Sequence, residues 1–210
     1  AKQKDGSYTV SASYDMPEVK GKLMLDYTLY DDGTITVKER FNASDTAKVA
    51  NMFRVGMRMQ MPGDMNISNY YGRGPLENYA DRNNCTFVGK YKQTSAEQFY
   101  SYIRPQENGN KTDIRWWKQT DGNGNGLMFL ASTPLSISAL EYSQEELSDG
   151  TEKGQRHSEL LNKNGNINMN IDKIQMGLGC VNSWGAIPMS KYMLPYANYE
   201  YSFTMKPNVK

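Results

Sequence analysis

Apolar and polar positions alternate along most of the chain, and this two-residue period predicts strands. Leu23, Leu25, Tyr27 and Leu29 alternate with Met24, Asp26, Thr28 and Tyr30. Asp31-Asp32-Gly33 then turns the chain into Ile35, Val37, Glu39 and Phe41, which predicts a hairpin. Phe53, Val55, Met57, Met59 and Met61 alternate with Arg54, Gly56, Arg58 and Gln60 until Pro62-Gly63 ends the run, so all five apolar side chains are expected on one sheet face. Further strands are predicted around 65–71, 112–118, 127–131, 135–140, 167–176 and 199–205, where aromatic and β-branched residues suit a half-buried pleat. Asn108-Gly109, the 121–126 segment, Asn164-Gly165 and Pro195 mark the turns between them.

Helical signals are few. Ser143-Gln144-Glu145-Glu146-Leu147 has the form of a capping box, predicting a short helix from Ser143 to near Gly150, and another turn is expected around Ser95. With no repeat, low-complexity tract or long linker, the pattern predicts one all-β domain over residues 1–210, a large β-sandwich with little helix.

Composition adds limits. In 210 residues, 38% are hydrophobic, with 15 Tyr and 13 Met among them, enough for a sizeable core. The balance of 24 Lys+Arg against 23 Asp+Glu gives no electrostatic case for a nucleic acid or an anionic membrane, so an uncharged partner is expected. Cys85 and Cys180 lack the spacing of a zinc or redox motif, and no apolar run is long enough to span a membrane. The N-terminal AKQKDGSYTV lacks an apolar signal region and reads as the start of a segment cut from something longer, which leaves localisation unknown.

Candidate chemistry is sparse. The 121–126 stretch, DGNGNG, matches the first half of a calcium loop, but its twelfth position is Ser132 where a bidentate glutamate is required, so a hairpin turn is expected. His157 is the single histidine; Glu159 or Asp172 are the carboxylates available to orient it, and a structural hydrogen-bonding role is the simpler reading. Glu77, Glu107, Glu145 and Glu159 are suggestive glutamates, yet glycoside hydrolysis needs two carboxyls about 5 to 9 Å apart, which spacing does not supply. Gly177, Gly179 and Gly185 bracket Trp184 in a glycine-rich stretch, where an indole is either a core residue at a strand end or a binding platform. Between Tyr70 and Arg82 lies a loop rich in hydrogen-bonding groups, in which Glu77 is expected to pair with Arg73 or Arg82.

Residues Tyr71-Gly72-Arg73-Gly74-Pro75-Leu76-Glu77-Asn78-Tyr79-Ala80-Asp81-Arg82 resemble the pattern [WY]-[FY]-G-x-G-P-x-E-N-Y-x-D-R of the C-terminal domain of glycoside hydrolase family 2 β-galactosidases. Four further segments follow in the family's order: Tyr102 to Gly109, Tyr142-Ser143, Asn170-Ile171-Asp172, and Met176-Gly177-Leu178-Gly179 leading to Ser183-Trp184. The resemblance covers most of the chain, most closely residues 69–201. It implies a β-supersandwich related to galactose mutarotase, with the first fifty or so residues supplying opening strands. It also implies that the catalytic glutamates of a retaining hydrolase lie in an upstream TIM-barrel domain, so that this segment holds no catalytic residue and no metal. Any cofactor ions, magnesium and sodium in the family, belong to other domains.

By the same resemblance, Trp184 stacks against the sugar with Ser183 beside it, and Gly74, Glu77, Asn78, Tyr79 and Arg82 form a supporting loop near the site's mouth. The implied partners are a galactoside or other carbohydrate and the upstream domains of the same polypeptide, with a homo-oligomeric parent compatible. Cys180-Val181-Asn182 stand where the family often has acidic or glycine residues, and the histidine-rich segment of some members is reduced to His157. Two alternatives remain at this point: an independent carbohydrate-binding module and an aldose mutarotase-like enzyme.

Overall fold

The computed structural model describes residues 2–148, 156–179, 182 and 185–209. The chain is all-β with little helix, as its alternation predicts. Ten strands run in order: β1 (Tyr8–Met16), β2 (Gly21–Leu29), β3 (Ile35–Ala43), β4 (Arg54–Pro62), β5 (Ile67–Gly74), β6 (Phe87–Thr94), β7 (Lys111–Thr120), β8 (Gly126–Leu140), β9 (Asn166–Gln175) and β10 (Tyr199–Asn208). Two single-turn helices, α1 (Ser95–Gln98) and α2 (Gln144–Leu147), interrupt them. Both are capped, the second at the serine that the sequence predicts and the first at a residue it did not single out. Thr94 and Glu97 form a reciprocal capping box, and the Ser143 hydroxyl accepts from the Glu146 amide. The second helix stops at Leu147, short of Gly150, which lies outside the described residues.

All strand pairing is antiparallel, and the sheet runs β1-β2-β3-β10-β8-β7-β5-β6, with β9 and β4 branching from β8. The branch point answers a difference from the expected pattern: the two strands predicted around 127–131 and 135–140 are one strand. Its first half pairs with β10 through Ala131, its second half with β9 from Ser136 onward. Pro134, which has no amide to donate, sits exposed between the two halves where the partner changes. The β9–β4 wing then folds over β10, and the Tyr201 hydroxyl donates to the Ile171 carbonyl at 3.0 Å across the two layers.

Alternating positions from both layers meet in the core. Tyr70, Ile114, Trp117, Phe129, Met169 and Ile171 are all fully buried, and Tyr70 stacks on Trp117 with centroids 4.7 Å apart. In β4, Val55 and Met61 are buried and Met57 and Met59 half-buried, as predicted. Phe53 departs from that expectation: it lies before the strand and is 77% exposed. Strands β1 and β6, absent from the set that the alternation predicts, are edges of the sheet, as is β4 at the end of the branch. No helix among the described residues is long and apolar enough to cross a membrane.

Candidate functional site

The 71–82 loop leaves the end of β5 and is held from inside. Gly74 is required there, because a Cβ would stand 2.5 Å from the Tyr70 hydroxyl and 2.9 Å from the Tyr91 ring. Asn78 is fully buried: its amide donates to the Arg73 and Leu76 carbonyls at 3.3 and 3.0 Å, and its oxygen accepts from the Thr112 amide and hydroxyl at 2.9 and 2.6 Å. Tyr79 is also buried, and its hydroxyl donates to Glu77 at 3.2 Å. Both side chains are therefore braces inside the fold and are closed to a ligand.

Glu77 collects four donors: Tyr79, the Tyr102 hydroxyl, the Gly109 amide at 2.8 Å and Arg82 at 3.5 Å. Of the two arginines expected to pair with it, Arg82 does so while also covering the Tyr79 ring at 4.8 Å. Arg73 instead pairs with Asp113 at 2.6 Å. Burial, and then the hydrogen bond to Glu77, push the Tyr102 phenol up to about 12. Behind this carboxylate, burial lowers the Lys111 ammonium to about 8, partly offset by Glu77, and Lys111 donates to the Gly109 carbonyl at 3.0 Å.

The next residue of the motif faces a distant part of the chain. Asp81 accepts from the Leu178 amide at 3.1 Å through one oxygen and from the Gly179 amide at 2.8 Å through the other. The two amides before these are also held, Met176 by the Phe53 carbonyl at 2.8 Å and Gly177 by the Tyr192 carbonyl at 2.9 Å. Sequence reading quoted Asp81 within its motif but assigned it nothing, since its partners lie almost one hundred residues away. Ser183 and Trp184, the residues expected to touch sugar, lie outside the described residues, and so does Cys180.

Beside this segment is a cleft of about 600 Å³ lined by Phe53, Arg54, Gln106, Glu107, Gln175 and Leu178 among others. A second hollow of about 350 Å³, lined by Asn108, Ser138, Tyr142, Asn168 and Asn170, shares Arg58, Gln144 and Glu145 with the first. Four of the five motif segments thus border one polar face, and Asp81 ties the 71–82 loop to it. Its charges are matched: Arg54 pairs with Glu107 at 2.7 Å and Arg58 with Glu145. Behind Arg54, the fully buried Asp172 carboxylate lies 3.7 Å from the guanidinium. Burial pushes Asp172 up to about 7, against the pull of Arg54.

The other candidates have structural duties. The His157 imidazole donates through Nδ1 to the Ile103 carbonyl at 2.7 Å, and Ser158 donates to the Tyr102 carbonyl, so the histidine staples one chain segment to another. Glu159 is exposed. The Asp121 carboxylate accepts from the Asn123 and Asn125 amides, both at 2.8 Å, which makes the 121–126 stretch the expected hairpin turn between β7 and β8. Among the described residues, no group of three or more His, Cys, Asp or Glu side chains is placed to hold a metal ion.

Comparison with known proteins follows the same line. Residues 1–205 match the family model described as Beta galactosidase small chain. A β-galactosidase of Priestia megaterium is 33% identical over 210 residues, covering 95% of this chain and 20% of its own. One from Lactobacillus delbrueckii subsp. bulgaricus is 33% identical over 184 residues, covering 87% of this chain and 17% of its own. The chain spans about a fifth of the length of these relatives. Among solved structures, a galactose mutarotase related enzyme from Lactobacillus acidophilus aligns with a TM-score of 0.41 at 10% identity, over 97% of this chain and 68% of its own. On the family match across nearly all of its residues, the chain belongs to the β-galactosidase small-chain family.

Proposed function

We propose that this chain is a non-catalytic component of a glycoside hydrolase family 2 β-galactosidase, completing an active site whose acid/base and nucleophile glutamates stand on an upstream TIM-barrel domain. Its contribution is Trp184, an indole against which the C–H face of a galactoside packs while the hydroxyls find polar partners at the rim, with Ser183 adjacent. Burial of such a side chain against sugar contributes roughly 1–3 kcal/mol of binding. The observation that carries this reading is the clasp between Asp81, in the first family-like motif, and the amides of Leu178 and Gly179, in the last. It fixes the foot of the tryptophan loop against the 71–82 loop.

The carboxylates of this chain favour the non-catalytic role. Glu77 is committed to four donors, and Glu107 and Glu145 to arginines. The mutarotase alternative is disfavoured by His157, whose Nδ1 is engaged with a backbone carbonyl. Metal ions and oligomeric contacts are assigned to other parts of the assembled enzyme. The chain expressed alone is expected to give no turnover of a chromogenic galactoside. Turnover that survives repurification and is abolished by substitution of a glutamate within the chain contradicts the assignment.

A further inference from the structure

We infer that the apolar face of β1 and β2 is a docking surface for polypeptide of the same enzyme chain that lies outside residues 1–210. This rests on the reading of the chain as one component of a longer β-galactosidase, although the face itself is built entirely from described residues.

The two faces of this wing differ in kind. Nine cross-strand pairs join β1 to β2 without a bulge, so even positions of β1 share a face with odd positions of β2. One face is polar: Thr9 shares a hydrogen bond with Thr28 at 3.1 Å, Ser11 donates to Asp26 at 2.6 Å, and Lys22 lies 3.6 Å from Asp15. On the other, Tyr8, Val10 and Tyr14 stand opposite Leu29, Tyr27 and Leu23, and none of the described positions of the two strands places a charge there.

That apolar face is the inward face of the sheet, continued past its cover. At β3 and β10 the β9–β4 wing closes it, and the paired Val37 and Phe203 are fully buried. At β2, Leu25 is still buried and Tyr27 packs against the core. At β1 the cover has ended, and Tyr8, Val10 and Tyr14 are 52%, 58% and 51% exposed. A groove of about 460 Å³ opens beside them, lined by Met16, Val19, Leu23, Val49, Met52 and Val55 among others. The outer edge is unguarded too: β1 has one charged residue, Asp15, and no proline, whereas the edge strand β6 carries Lys90 and Lys92.

An uncharged face continuous with a core suits a permanent cover rather than an exchanging partner. Polypeptide to supply it is present in the relatives, in which the region similar to this chain is about a fifth of the length. The cover is assigned to that remainder, packed as a further layer beside β4 with apolar side chains in the groove.

The test is made in the full-length polypeptide carrying this chain. Val10→Cys is expected to react with a maleimide about tenfold more slowly than Ser13→Cys on the polar face of the same strand, as read by peptide mass spectrometry. Replacing Val10 or Tyr14 by the photoreactive p-benzoylphenylalanine is expected to give, on irradiation, a cross-link to a peptide outside residues 1–210 with the denatured mass of a single chain. Equal labelling of positions 10 and 13 overturns the inference, and so does failure of both photoreactive positions to cross-link. A covalent dimer overturns it in favour of a second copy, and a cross-link within residues 1–210 in favour of this chain itself. Galactosidase activity of the same preparation separates the two readings: an open face in an active enzyme removes the docking and leaves the component reading, whereas an inactive full-length polypeptide removes the component reading itself.

Discussion

Asn78 is the most fully bonded side chain of the 71–82 loop's interior, and its replacement gives a quantitative test. Expected in a supporting loop near the site's mouth, it is fully buried, with two side-chain hydrogen bonds to carbonyls of its own loop and two from Thr112 of β7. Asn78→Ala removes all four and takes the acceptor from the amide and hydroxyl of the buried Thr112. At a net contribution of about 1 kcal/mol per bond, with a further penalty for orphaned groups, the expected loss is about 3–5 kcal/mol. Asn78→Asp keeps the volume and the acceptor for Thr112 but loses both donations and faces two carbonyls with a charge. Its loss is expected to be about 2–3 kcal/mol at neutral pH, shrinking in acid as the carboxyl gains a proton to donate. Urea unfolding followed by tryptophan fluorescence measures both. An Asn78→Ala variant within about 0.5 kcal/mol of the parent, the usual range for a surface change, refutes the assignment of Asn78 as an internal brace.

Two further outcomes follow from the buried and turn carboxylates. Burial raises the Glu39 carboxyl to about 7, the hydrogen bond from Tyr201 opposing this only in part, so between about pH 4.5 and 7 the unfolded chain ionises this group before the folded chain does. That contribution to stability is present in full below the window and declines as pH rises through it. Glu39→Gln should therefore gain on the parent progressively from pH 4.5 to 7 in urea midpoints, and parallel curves refute the shift. Millimolar calcium is expected to leave the melting temperature unchanged, since the Asp121 carboxylate is spent on the amides of its own turn; a clear rise contradicts that reading.

The sheet was legible where one face is buried and obscure where neither is. Strands β2, β3, β4, β7 and β10 carry the alternation of a half-buried pleat, and their places match the expected ones. The edge strand β1 has no buried residue and β6 none either, so burial within this chain marks neither. The pattern predicted two strands, at 127–131 and 135–140, whereas the chain runs on through Pro134 as one strand that exchanges β10 for β9 there. Site residues divide in the same manner. Local features such as the Ser143 cap, the turn around Ser95 and the Asp121 turn depend on neighbours in sequence and were readable. The Arg73–Asp113 pair, the Arg54–Asp172 contact and the Asp81 clasp join residues tens of positions apart, and no spacing encodes them. Resemblance located the motifs, but only packing shows that Asn78 and Tyr79 face inward while Asp81 reaches across to the tryptophan loop.

The central claim is that this chain lends a sugar-binding indole to an active site it does not otherwise build. Its most direct test is Trp184→Ala in the full-length polypeptide carrying this chain, assayed for kcat and KM on a nitrophenyl galactoside alongside a melting curve. Loss of roughly 1–3 kcal/mol of stacking predicts a kcat/KM lower by about 5- to 150-fold, carried mainly by KM, with the melting temperature unchanged. An unaltered kcat/KM in a folded variant contradicts the claim.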